Sequence, residues 1–101
     1  MSLSCSGWAN KVGTTIRNHC SHGSWKQHWI DTTGKSWPTM CSVSGCYNTA
    51  DVGGHVYHGS YEGERIAPIC SSCNKRVGKF SFKGGISLPK AVRNSCIIAR
   101  K

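Results

Sequence analysis

The sequence predicts a small α+β domain held by cross-links rather than by a large apolar core. Three observations lead there. The chain has 101 residues, enough for one domain and too few for two. Leu, Ile, Val and Phe supply only 17 of them, short of the roughly 20% found in ordinary core-forming sequences. In their place stand seven cysteines, five histidines and four tryptophans. Scarce aliphatics with a net charge of +9 would mean disorder in a chain with nothing else to fold around. Here only 17% of residues are charged, and disulfides or a metal can supply the missing stability. A large catalytic domain with a deep apolar cleft is excluded. So is a membrane span, because the longest apolar run covers residues 96–99 and a span needs about 20.

Between the two kinds of cross-link, the sequence favours metal. Seven is odd, so a disulfide framework leaves one thiol over. The opening MSLSCSGWANK has no apolar stretch of the secretory kind, which points to a reducing, intracellular compartment, the nucleus included in a eukaryote. Spacing carries the argument further. Cys41 and Cys46 are C-x4-C and Cys70 and Cys73 are C-x2-C, both within the window that brings two thiolates onto one tetrahedral zinc. Gly45 gives the first loop its backbone freedom.

The remaining elements follow in order. Ser24 is a candidate helix cap, and Trp25, His28 and Trp29 share one face of a helix over residues 24–30. That face is core in a domain short of aliphatics, with base stacking as the alternative. Residues 18–22, Asn-His-Cys-Ser-His, suggest a second zinc site drawing on Cys20, His22, His55 and Cys96, or else a turn with exposed histidines. Residues 47–69 are long enough for a β-hairpin. Ser71 and Ser72 can cap a short helix over residues 74–77, its positive end toward the thiolates and Gly78 ending it. Phe80 and Phe82, then Gly84-Gly85, then Ile86 and Leu88 read as a C-terminal hairpin. Pro89 ends that hairpin and can open a last short helix. The expectation is a single domain over residues 1–101: a core at 41–78, an N-terminal extension at 1–40 and a basic C-terminal part at 79–101.

Charge is unevenly distributed. Residues 1–64 hold four basic and four acidic side chains, whereas residues 65–101 hold nine basic and none acidic. Four thiolates around a divalent zinc leave about −2, so part of this excess is a counterion for the site. The rest suggests a polyanionic partner, with Lys75, Arg76, Lys79, Lys83, Lys90 and Arg93 as candidate contacts.

Residues 41–74, with CSVSGC, then ADVGGHV, then IAPICSSCN, resemble a treble-clef zinc finger of the HNH-like type. From Gly23-Ser24-Trp25 onward the chain also resembles small uncharacterised bacterial and phage proteins with a CxxxxC…GAHV…PLCxxCN pattern. The resemblance implies a zinc knuckle, a β-hairpin and a short helix. In active HNH nucleases a metal ligand precedes the general-base histidine and the helix adds another histidine. Mapped here, His55 takes the base position, Gly54 stands where the ligand would be, and residues 74–80 contain no histidine. His58 lies on the opposite strand face from His55. Without the cation, an imidazole cannot stabilise the phosphoryl transition state. The expected function is therefore a non-catalytic zinc module binding DNA or RNA. The alternatives are a zinc-stabilised protein-interaction module, such as a secreted or translocated effector, and a degenerate nuclease using His55. Nothing in the sequence points to a small-molecule substrate.

Overall fold

A computed structural model describes residues 3–11 and 25–91. Its frame is a hairpin of two strands, β2 (Val52–His58) and β3 (Tyr61–Ile69), turning over Gly59 and Ser60. A third strand, β1 (Trp8–Asn10), pairs antiparallel with β2, and a two-residue strand, β4 (Lys79–Phe80), pairs antiparallel with β1. The order across the sheet is β3-β2-β1-β4. With one α-helix, α1 (Trp25–Thr33), and a turn of 3-10 helix at Cys73–Lys75, the described residues form a small compact α+β fold. No helix among the described residues is long and apolar enough to cross a membrane.

Strand alternation sends neighbouring residues to opposite faces, and each face builds its own core. Ile66 packs under α1 with Trp25 and Trp29, while Ala67 and Ile69 join Trp8, Val43, Val56, Phe80 and Phe82 on the other side. Trp8, Trp25 and Trp29 are core and Trp37 is half-buried against Trp29, and three of the four indoles find an acceptor. Trp8 donates to the Ser4 carbonyl, Trp29 to Ser87 and Trp37 to Ala50. Base stacking by Trp25 or Trp29 is excluded, since both are buried.

Two adjacent glycines let both layers approach the sheet. A Cβ on Gly53 would lie 2.8 Å from the Lys26 backbone nitrogen, and one on Gly54 would lie 2.8 Å from Asn74 Oδ1 and collide with Ile69 Cδ1. Gly53 thus seats the helix and Gly54 seats the cysteine loop.

Two expectations are corrected. The segment after Cys73 forms only the 3-10 turn, not a helix over residues 74–77. Ser72 makes no side-chain cap, and Arg76 is already extended. The Cys73 carbonyl, which an α-helix would offer to residue 77, instead accepts from the Arg76 N–H and from Asn10 Nδ2 at 2.8 Å. Asn10 holds the Arg76 carbonyl as well, at 3.0 Å. The C-terminal hairpin is also absent. Residues 81–83 are bonded on both sides. Ser81 accepts from the Ser44 N–H and Lys83 donates to the Ser42 carbonyl on one side, and Phe82 donates to the Cys5 carbonyl on the other. That leaves no edge there for Ile86 to Leu88. The chain beyond runs along β3 instead, where the Pro89 carbonyl accepts from Ile66 and Ala91 donates to Glu64. The helix expected after Pro89 lies largely outside the described residues.

Candidate metal centre

The first cysteine pair sits in a loop closed at its base by backbone pairing. Cys41 donates its N–H to Asn48, and Met40 bridges Thr49. Gly45, at φ +83°, makes the turn that returns Cys46 toward Cys41, with Cys46 N–H donating to the Val43 carbonyl. The second pair begins where β3 ends. Asn74 N–H bonds the Cys70 carbonyl, curling residues 70–74 so that Cys73 faces back toward Cys70. One further bond, Ser42 N–H to the Pro68 carbonyl at 2.9 Å, fixes the first loop against β3.

This brings Cys41, Cys46, Cys70 and Cys73 together, with all four sulfurs within 4.8 Å of one another. The Cys46 and Cys70 sulfurs are 3.8 Å apart. Four sulfurs bonded at about 2.3 Å to a tetrahedral zinc lie about 3.8 Å from each other. The cluster therefore fits a metal ion, and an all-thiolate tetrahedral donor set is the one zinc prefers. Cys41, Cys70 and Cys73 are buried and Cys46 is half-buried.

Protonation of the cluster follows from its crowding. Burial pushes the Cys73 thiol up to about 12, and the neighbouring cysteines push in the same direction. Burial also opposes ionisation of Cys70. The bonds Cys70 accepts from the Cys73 N–H at 3.4 Å and the Asn48 amide at 3.7 Å outweigh it, holding the group at about 7. Cys41 is raised by its burial. Of these three, Cys70 ionises most readily, while burial holds Cys41 and Cys73 in the thiol form and the neighbouring cysteines add to the effect at Cys73. A divalent cation reverses that order by displacing the protons.

Among the described residues, this is the one group of three or more potential ligands that converges. Of the second set, Cys20, His22 and Cys96 lie outside the described residues. His55 is placed elsewhere: Nδ1 lies 3.0 Å from Glu64 Oε1, and the ring meets Trp25 edge to face at 4.6 Å. It is 6% exposed, its Nε2 is buried without a partner, and burial lowers its pKa below 6.5. His58 occupies the other face against Trp8, with Nε2 2.9 Å from the Ser6 carbonyl and Nδ1 accepting from the Ser60 N–H.

The basic residues divide. Lys75, Arg76 and Lys79 are exposed and make no ion pair with the described residues. Lys90 is exposed beside α1, where its carbonyl lies 3.1 Å from His28 Nε2. Arg93 lies outside the described residues. Lys83 differs from all of them: it is half-buried, and its ammonium donates to the carbonyls of Cys41 and Cys46. Sequence reasoning missed this contact, and missed Asn48 and Asn10. The last two carried a weak signal as amides, one in the knuckle and one in a short apolar stretch. Lys83 carried none.

No family model, curated protein or solved structure matches the chain.

Proposed function

We propose that the chain is a non-catalytic, zinc-stabilised module with a treble-clef-like core that binds nucleic acid through the loop at residues 75–79. The observation carrying this reading is the loop itself. It follows directly from Cys73, is pinned by Asn10, and presents Lys75, Arg76 and Lys79 without compensating acids. Exposed cations without an acid partner, one of them lying over the Phe80 ring, on a short loop with a pinned backbone suit phosphate contacts better than base readout. The order of knuckle, hairpin and cysteine-bearing turn supports the treble-clef comparison, though the turn is shorter than that fold's helix.

Two observations weigh against nuclease chemistry. Gly54 has no room for a ligand side chain, and His55 is enclosed by Trp25 and Glu64 rather than presented to a substrate. A general base needs to come within hydrogen-bond reach of the attacking water.

The test is salt-dependent binding to duplex DNA. Affinity should be micromolar or weaker, nearly independent of sequence, and steeply reduced by salt. Replacing Lys75 and Arg76 together by Ala should lower the log–log salt slope by roughly two while metal content stays unchanged. Binding untouched by that double substitution would favour a protein partner instead. Cleavage in magnesium or manganese, abolished by His55→Ala, would restore the nuclease.

A further inference from the structure

Resting on the reading of the four cysteines as a zinc site, we propose that Lys83 is a positioning residue for that site, clamping the C-x4-C loop and offsetting the charge of the metal–thiolate cluster. Its Nζ lies 2.7 Å from the Cys46 carbonyl and 2.8 Å from that of Cys41. Both carbonyls belong to ligand residues. The ammonium therefore ties together the two ends of the loop whose separation sets the distance between two of the four sulfurs.

The backbone delivers Lys83 to this place. Lys83 N–H donates to the Ser42 carbonyl, Ser44 N–H donates to Ser81, and Phe82 bridges Val43. A short antiparallel contact thus locks residues 81–83 against residues 42–44, and Phe82 is anchored in the core. The side chain then has little choice of direction, and its Nζ also lies 5.3 Å from the centre of the Tyr47 ring.

Charge explains why a cation belongs there. A lysine drawn half out of water loses hydration that two neutral carbonyls replace only in part. Four thiolates around a divalent ion carry about −2, and a neighbouring ammonium is stabilised by that field as it stabilises the cluster. Lys75 and Lys79, with no such acceptors, remain at the surface. The basic C-terminal third is thus divided: the 75–79 loop is exposed, and the Lys83 ammonium is held on the carbonyls of two ligand residues.

The experiment measures zinc affinity by competition with a chromophoric chelator for the wild type and for K83M, K83R and K79M. Loss of contacts supporting metal ligands costs 10–100-fold in affinity as a rule. K83M should weaken zinc binding by roughly that factor, because it keeps the alkyl stem and removes the charge. K83R, whose guanidinium can reach both carbonyls, should restore affinity to within a few-fold of wild type, and K79M should leave it unchanged. K83M with wild-type affinity overturns the proposal, as does an equal loss in K79M, which would make the effect one of net charge. If K83M fails to fold in saturating zinc, folding of K83R supports the clamp, and failure of both overturns it in favour of simple packing. A wild type holding well under one zinc per chain, or a C70S variant with undiminished affinity, removes the zinc reading itself and this proposal with it.

Discussion

The two faces of the sheet carry comparable sets of reactive groups and use them differently. On the face reached from Gly54, four sulfurs converge, Asn48 and the Cys73 N–H direct hydrogen bonds at one of them, and an ammonium holds the loop that carries two. On the face reached from Gly53, an imidazole, a carboxylate and an indole meet around His55, yet only one polar contact forms among them. His55 Nε2 and Trp25 Nε1 are both buried without partners. A set of residues capable of chemistry becomes a site when donors converge on one point. Enclosed and unconverged, the same residue types act as packing.

The sharpest way to break this comparison is to remove the metal. Structural zinc contributes on the order of 10–16 kcal/mol in small domains, as much as the whole stability of an ordinary domain, about 5–15 kcal/mol. Stripping zinc with a chelator, or replacing Cys73 by Ser, should abolish the cooperative thermal transition followed by tryptophan fluorescence. Both faces should unfold together, although only one binds metal, since β2 and β3 belong to both. Retention should also fall with acid. Cys73 and Cys41 are raised, so lower pH favours the protonated cluster over the metal-bound one. A metal-free protein with an unchanged melting curve would show that the fold, the cysteine face included, stands without the metal, since Trp8 reports that face and Trp25 and Trp29 the other.

Sequence reasoning reached the two faces unequally, and the reason is distance along the chain. Cys41, Cys46, Cys70 and Cys73 declare themselves through local spacing, and Trp25, His28 and Trp29 declare α1 through local periodicity. The β2–β3 hairpin needs only nearby partners. By contrast β1 is three residues long, too short to show alternation, and its partners lie about 50 and 70 residues away. Phe80 and Phe82 alternate as a hairpin strand should, but Trp8 and Val43 claimed them before Ile86 and Leu88 could. Lys83 looked like one more surface cation because the carbonyls that hold it are about 40 residues distant.

A smaller but still large effect should come from the paired glycines, which separate the faces. Gly54→Asp places an acid before His55 and forces a buried Cβ and carboxylate against Ile69 and Asn74. Overpacking costs about 1–3 kcal/mol and an unpaired buried carboxylate adds more. A loss of about 3 kcal/mol corresponds to roughly 12–24 °C in Tm for a domain of this size. The disturbance should fall on the Asn74 side and weaken zinc retention. Gly53→Ala meets the Lys26 and Trp25 backbone instead, which cannot swing aside. It should displace α1 and quench or shift tryptophan emission. Because the two faces fold as one unit it should weaken zinc binding too, but less than Gly54→Asp, which also disturbs the cysteine loop directly. Equal effects of both on zinc would mean that Gly54 has no special part in seating that loop.

The smallest effect sharpens the account of His55. Burial lowers its pKa, and the hydrogen bond and charge of Glu64 pull the other way without restoring it. Protonation would place a hydrogen on Nε2, which is buried with no acceptor. A histidine depressed below its unfolded value of 6.5 contributes stability that is fully present above pH 6.5. That contribution is lost as pH falls through the lowered folded value. The wild type should therefore lose its advantage over His55→Leu progressively below pH 6.5, while zinc release, common to both, cancels in the difference. The ring protons of His55 should titrate by NMR with a midpoint below 6.5. A midpoint above 6.5 would mean that the Glu64 ion pair governs the group, and an imidazolium held that way would belong to a charged site rather than to packing.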